Sequence, residues 1–226
     1  MAAGAAPLRG WVNNAAIFRD ARLHEAPASE VIGLIGRNLD PAVVGCAAAV
    51  RHFLAAGVGG SIVNVSSHQA QRAVRGAFAY ATAKAAVEGL TRALAVDYGP
   101  SGVRVNAVAP RLPSHRLPGN RRVAKRSQPA SRTIATERSA THVAGLDDAE
   151  RDRFDREIAL LQPLGRMGEA AEVADAVAFL LSDAARFISG AIIPIDGGRS
   201  AVGRDPEEVS SVGRAGARRR ARDTAL

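Results

Sequence analysis

The sequence predicts an α/β fold, a doubly wound parallel sheet with helices on both faces. Two observations predict it. Short, near-continuous apolar runs alternate along the chain with longer stretches whose apolar residues recur at helical spacing. The short runs are rich in Val, Ile and Ala rather than alternating apolar with polar, which is how a strand covered on both faces reads. In such a fold the ligand sits at the carboxyl ends of the strands.

Leu8–Asn13 is the first apolar run and reads as a buried strand. From Ser29 to Ala56, Val31, Ile32, Leu34, Ile35, Leu39, Val43 and Val44 recur at helical spacing, with Pro41 as a potential kink. Gly57-Val58-Gly59-Gly60 is too short and wrongly placed for a phosphate loop and reads as a helix stop. Ser61–Val65 is the next strand. Phe78–Tyr98 is an Ala-rich helix closed by Gly99-Pro100. Val103–Ala109 is a strand, and Asp147–Leu161 a charged helix with Asp147 and Asp148 at its start. Glu169–Leu181 is a helix with Ala171, Val173, Ala174, Val177 and Leu180 on its apolar side. Ala191–Ile195 is the last strand. Pro194 suits an edge or a strand end, and Asp196-Gly197-Gly198 is a turn. There is no internal repeat.

Composition narrows the class. The 226 residues are 47% hydrophobic and 23% charged, enough for one soluble domain with a sizeable core and too charged for a membrane bundle. No run of 18 consecutive apolar residues exists, so no transmembrane helix is expected, and the start lacks the pattern of a secretory signal. A single cysteine, Cys46, excludes an internal disulfide and makes a cytoplasmic location the expectation. The five histidines, 24, 52, 68, 115 and 142, show no metal-ligand spacing, so no metal site is expected and surface positions are. The formal charge is +8, but residues 111–132 carry +7 and residues 214–226 a further +4, leaving the rest at −3. Both basic segments read as loop or disordered, and neither carries aromatics for base stacking. Residues 1–200 thus form one domain interrupted by the 111–132 insert, and 201–226 an Arg-rich tail; nucleic acid is not the expected partner.

The segment Ser67–Lys84 carries the chemistry. Tyr80 and Lys84 lie four apart on a predicted helix and share a face. An ammonium beside a phenol favours the phenolate, and a tyrosine tuned downward in this way can exchange a proton near neutrality. Ser67 follows a strand at the ligand edge of the sheet, where its hydroxyl can polarise a carbonyl that Tyr80 protonates. Alone, Tyr-x-x-x-Lys is a weak signal that also describes a surface pair.

Its context is more specific. WVNNAA (Trp11–Ala16), Asn38-Leu39, SIVNVSS (Ser61–Ser67), YATAK (Tyr80–Lys84), VRVNAVAP (Val103–Pro110), TIATE (Thr133–Glu137), PLGRMGE (Pro163–Glu169) and FISGAIIPIDGG (Phe187–Gly198) follow one another in order. With this string the chain resembles the short-chain dehydrogenase/reductase family from about Gly10 to Arg199, apart from the insert. The resemblance implies a Rossmann-like domain, a cofactor of the NAD or NADP type and hydride transfer between the nicotinamide and an alcohol or ketone, with 3-oxoacyl reduction as a representative reaction. It further implies that Tyr80 is the acid/base, that Lys84 holds the nicotinamide ribose and lowers the Tyr80 pKa, and that Ser67 orients the carbonyl. Asn38 would anchor a proton-relaying water. Asn13 and Ala15 would line the cofactor ribose, Pro110 and Ile134 would flank the nicotinamide, and Thr136 would hold its carboxamide. Asn13 reads equally well as a residue satisfying backbone groups between strands, Thr136 as a helix cap, and Asn106 as structural rather than catalytic.

Two departures from the family stand out. The Thr-Gly-x-x-x-Gly-x-Gly turn and the strands around it are lacking in this sequence, and with them the residue that selects NAD or NADP. Leu8–Asn13 is thereby expected at a sheet edge with an uncovered apolar side. Secondly, residues 111–132 separate Pro110 from Thr133, entering over the predicted cleft, where they would act as a lid favouring an anionic substrate or as an interruption displacing Thr136. Partners implied are a small carbonyl or alcohol substrate and a second copy or a full-length relative. Two readings outside catalysis stand beside the enzyme: an interaction subunit docking on a relative through Ser29–Ala56 and Phe78–Tyr98, and a polyanion binder acting through the insert and tail.

Overall fold

The structure, a computed structural model, describes residues 7–19, 21–111, 147–166 and 168–203. Four parallel strands, β1 (Gly10–Asn13), β2 (Gly60–Val65), β3 (Val103–Pro110) and β4 (Ile192–Ile195), lie side by side in chain order. The register pairs Asn13 with Asn64, Val65 with Val108 and Pro110 with Ile195. All four carboxyl ends therefore point to one edge.

Four α-helices accompany the strands: α1 (Ala28–Ala56), α2 (Phe78–Tyr98), α3 (Asp148–Leu161) and α4 (Ala170–Leu181). Pro41 sits inside α1 without ending it. The helix stops at Gly57, whose φ of 63° is left-handed and whose N–H donates to the Leu54 carbonyl. α3 and α4 each open with a capping box, Asp147 with Glu150 and Glu169 with Glu172. Strand alternation sends adjacent residues to opposite faces. Ile62, Val103 and Val105 pack with Cys46, Ala49, Val50 and Phe53 under α1 and α2. Val63 and Val108 pack with Val173, Leu180 and Ala185 under α4.

α1 is the one described helix long and apolar enough to cross a membrane by length and composition. Its apolar residues are used otherwise: Val31, Leu34, Ala42, Cys46, Ala49, Val50 and Phe53 are buried, and the helix packs on β1, β2 and α2. Among the described residues β1 has a strand partner on one side only, and Val12 and Leu8 are about two-fifths exposed there, at 40% and 42%. This matches the expected edge. Asn106 clamps β3 to the segment before β4, donating to the Ile188 carbonyl and accepting from the Ala191 N–H, as a structural residue would.

A polar knot locks β1, β2, α1 and α2 together. The Asn13 amide donates to Asn64 Oδ1 at 2.8 Å and to Cys46 Sγ at 3.2 Å, and Asn64 Nδ2 donates to Thr91 Oγ1 at 3.0 Å. Trp11 Nε1 donates to Asn13 Oδ1 at 2.9 Å. Gly45 makes room for this knot, since a Cβ there would lie 2.0 Å from Asn13 Oδ1 and 3.0 Å from Trp11 Nε1. Gly45→Ala is expected to lower stability by about 1–3 kcal/mol through overpacking. Urea unfolding followed by circular dichroism checks this, and an unchanged midpoint would show that the knot is not rigid.

Candidate active site

The predicted site residues converge at the carboxyl edge of the sheet. Ser67 follows β2, extended at φ −160° and ψ 151°, and caps the short 3₁₀ helix His68–Ala70 by accepting from the Gln69 N–H. Tyr80 and Lys84 lie in the first half of α2 and are 9% and 3% exposed. Ser67 lies close enough to the Tyr80 phenol to act on it, favouring the phenolate. Lys84 Nζ lies 5.6 Å from the centroid of the Tyr80 ring and donates to the Val65 carbonyl at 2.7 Å. Phe18, in the loop after β1, packs against the same ring, 5.0 Å between centroids.

The electrostatics correct one expectation. The Tyr80 pKa is raised, not lowered: burial favours the neutral phenol and outweighs Ser67, which favours the phenolate. The ammonium is committed to the Val65 carbonyl instead. Burial acts on Lys84 too and pulls its pKa down to about 8. The pair is thus a buried acid kept protonated beside a lysine that loses its charge just above neutrality.

Asn38 is 4% exposed on α1. Its Nδ2 donates to the Leu34 carbonyl and its Oδ1 accepts from the Ile17 N–H at 2.8 Å, so its side chain pins the loop after β1 to α1. Asn38, Lys84, Asn14 and Ala15 line one cavity of about 180 Å³ together with Pro41 and Val87. Asn13 reaches that cavity as well, but its amide is spent in the knot beneath it, which places the side chain in the structural role that the sequence also allowed. Pro110 ends β3 at the same edge. Ile134 and Thr136 lie outside the described residues, as do all of the insert but Arg111 and the tail from residue 204.

Three further residues, Ser66, Gln71 and Glu88, support the site without having been singled out in the sequence. Ser66 Oγ donates to Glu88 Oε1 at 3.1 Å and Gln71 Nε2 donates to Glu88 Oε2 at 3.2 Å, which fixes the backbone on either side of Ser67. Glu88 is 5% exposed and stands four residues after Lys84 on the same helix face, the spacing that marks it. His68, expected at the surface, is largely enclosed. Its pKa falls to about 4, first through burial and then through the fields of Arg111 and Arg199.

A parallel α/β sheet carries a serine, a tyrosine and a lysine together at the carboxyl ends of its strands, the edge where ligands sit in this class of fold. The comparisons with known proteins carry this further. A profile for short chain dehydrogenases matches residues 2–117, and one described as enoyl-(acyl carrier protein) reductase matches residues 132–200. The chain belongs to the short-chain dehydrogenase family. It is 42% identical over 154 residues to a cis-4-hydroxycyclohexanecarboxylate dehydrogenase of Sinomonas cyclohexanicum, covering 68% of this chain and 50% of that protein. It is 34% identical over 198 residues to a meso-2,3-butanediol dehydrogenase of Serratia marcescens, covering 88% and 66%. The crystal structure of a gluconate 5-dehydrogenase from Burkholderia cenocepacia in complex with NADP and tartrate aligns with a TM-score of 0.69 at 27% identity, over 88% of this chain and 67% of that one. The chain thus spans half to two thirds of the length of its curated relatives.

Proposed function

We propose that the protein is an oxidoreductase that interconverts a secondary alcohol and its ketone with a nicotinamide dinucleotide, NAD or NADP. The observation that carries this reading is the gathering of Ser67, Tyr80 and Lys84 at the carboxyl edge of a parallel sheet, with Lys84 Nζ 5.6 Å from the centroid of the Tyr80 ring. Bound nicotinamide supplies the hydride in reduction and takes it in oxidation. Tyr80 delivers a proton to the carbonyl oxygen in reduction, and its raised pKa keeps it charged with that proton at neutral pH. Ser67 donates to the same oxygen and orients it. Lys84 replaces the proton from the side of the cavity that Asn38 also lines, and its ammonium faces the space a ribose hydroxyl would occupy.

The cavity fits the ribose end of the cofactor: Asn14, Ala15, Asn38 and Lys84 offer polar groups at its wall. At about 180 Å³ it is too small for a whole dinucleotide, and the described residues contain no glycine-rich cradle for the pyrophosphate. The relatives, by name, act on a cyclic hydroxy acid, a diol and a sugar acid, which supports the alcohol/ketone class. A 3-oxoacyl group is one member of that class. The buried thiol of Cys46 agrees with a reducing, cytoplasmic setting.

Calorimetric titration with NADH and NADPH tests the reading. Saturable binding of at least one, weakened about tenfold or more by Lys84→Met, is the expected result. Absence of binding by either nucleotide at millimolar concentration would refute the activity for this chain.

A further inference from the structure

The ends of β2, β3 and β4 bring together a second polar cluster that the acid/base site does not use. His68 follows Ser67 directly. Arg111 follows Pro110, and its backbone N–H is fixed to the Ile195 carbonyl at 2.9 Å. Arg199 opens the turn after Asp196-Gly197-Gly198, and Arg72 reaches the same turn by donating to the Ser200 carbonyl. Arg111 Nη1 stands 3.5 Å from His68 Nε2.

This cluster has more positive charge than it can balance. Asp196 is the carboxylate that faces it, and both Asp196 oxygens already accept backbone N–H groups, from Gly198 at 3.0 Å and Ser200 at 2.8 Å. Arg111 Nε, Arg199 Nε, Arg199 Nη1 and His68 Nδ1 are buried and have no hydrogen-bond partner among the described residues. Both arginines are partly exposed as whole side chains, but guanidinium nitrogens shut off from water without an acceptor are costly, and a ligand, ion or water completes such groups. Burial and the neighbouring Arg199 pull Arg111 down to about 10, still cationic at neutral pH, whereas His68 is neutral there.

We propose that Arg111 and Arg199, backed by His68, form an anion subsite that holds the carboxylate of a hydroxy- or oxo-acid whose reacting carbon lies at Ser67 and Tyr80. The subsite deepens the proposed oxidoreductase function and takes its substrate orientation from that reading. A planar carboxylate matches the forked donors of guanidinium. Ser67 and His68 both stand at the carboxyl end of β2, and Arg111 at that of the neighbouring β3, so the cluster occupies the same edge of the sheet as Ser67.

The experiment is thermal denaturation of the full chain against rising cyclohexanecarboxylate, with neutral cyclohexanemethanol as its isostere and ADP as a separate probe. The carboxylate is expected to raise the melting temperature saturably and the alcohol is not. Arg111→Gln and Arg199→Gln are each expected to weaken the carboxylate about tenfold. An equal response to acid and alcohol in the wild type would overturn the proposal without any variant. So would a carboxylate response untouched by both substitutions. If the substitutions abolish an ADP response and spare the carboxylate's, the cluster holds a nucleotide phosphate and the proposal fails. The nicotinamide titration of the wild type separates the two readings: a carboxylate response that needs both arginines, with neither NADH nor NADPH bound, refutes the oxidoreductase and leaves the anion subsite.

Discussion

Tyr80→Phe is expected to lower kcat/KM for ketone reduction by about 10²–10⁴-fold, the range that a positioned general acid contributes. The substitution removes one oxygen and keeps the ring. That ring is contacted by Phe18 and by Lys84, contacts that do not need the hydroxyl. The fold should therefore survive, and unchanged circular dichroism with a melting temperature within a few degrees would separate loss of chemistry from loss of structure. The phenol is buried and its pKa is raised, so the wild type carries the proton across the neutral range. Reduction by the wild type should accordingly persist at neutral pH without a phenol deprotonation limiting it. The measurement is nicotinamide absorbance under matched substrate and cofactor for both proteins. Activity of the Phe variant within a few-fold of wild type would remove Tyr80 from the reaction and leave Ser67 and Lys84 without a proton donor to serve.

Some of this site was readable from residue order alone, and some was not. Phe78–Tyr98 is the same helix in sequence and structure because its signals are local: an uninterrupted Ala-rich run and a Gly-Pro stop. Tyr80, Lys84 and Ser67 were legible for the same reason, since one helical turn joins the first two and a strand end presents the third. The first strand is shorter than its apolar run, Gly10–Asn13 instead of Leu8–Asn13, because pairing with β2 decides its length. The sign of the Tyr80 shift depended on how deeply the ring is enclosed, and Phe18 comes to it from a loop far away in the chain. The cluster of His68, Arg111 and Arg199 is the clearest case. Its members are scattered along the chain and meet only because β2, β3 and β4 lie in register, which no spacing rule reports. Asn13 shows the converse: its motif was legible, but the partners that consume its amide, Asn64 and Cys46, belong to other elements.

Lys84→Met is expected to abolish most activity and, at the same time, to change how stability depends on pH. In the folded protein burial holds the Lys84 pKa at about 8, against an ordinary 10.5. Between those values the unfolded chain binds the proton and the folded chain has released it, so wild-type stability rises with pH through that window, by at most about 1.4 kcal/mol per unit. Below about pH 8 the ammonium is present in both states and its burial is a standing cost. The raised Tyr80 pKa acts with the opposite sign above pH 10, where the unfolded chain loses a phenolic proton that the folded chain keeps. Burial also raises the Cys46 thiol above its ordinary 9.0, so from about pH 9 the unfolded chain loses a thiol proton that the folded chain keeps, and the clean window for Lys84 is pH 8 to 9. Urea midpoints of wild type are expected to climb across it, and those of Lys84→Met to lose that climb. Methionine fills the same space without a charge, but it leaves the Val65 carbonyl without the 2.7 Å donor, which offsets part of the relief at neutral pH. A wild-type midpoint that stays flat or falls relative to Lys84→Met from pH 8 to 9 would mean that the ammonium is solvated, and a solvated lysine would not be poised between the phenol and the cavity. The one hydrogen bond to the Val65 carbonyl returns only part of the stability lost at neutral pH to keep a charge beside Tyr80; proton supply to a reacting oxygen gives the rest a use.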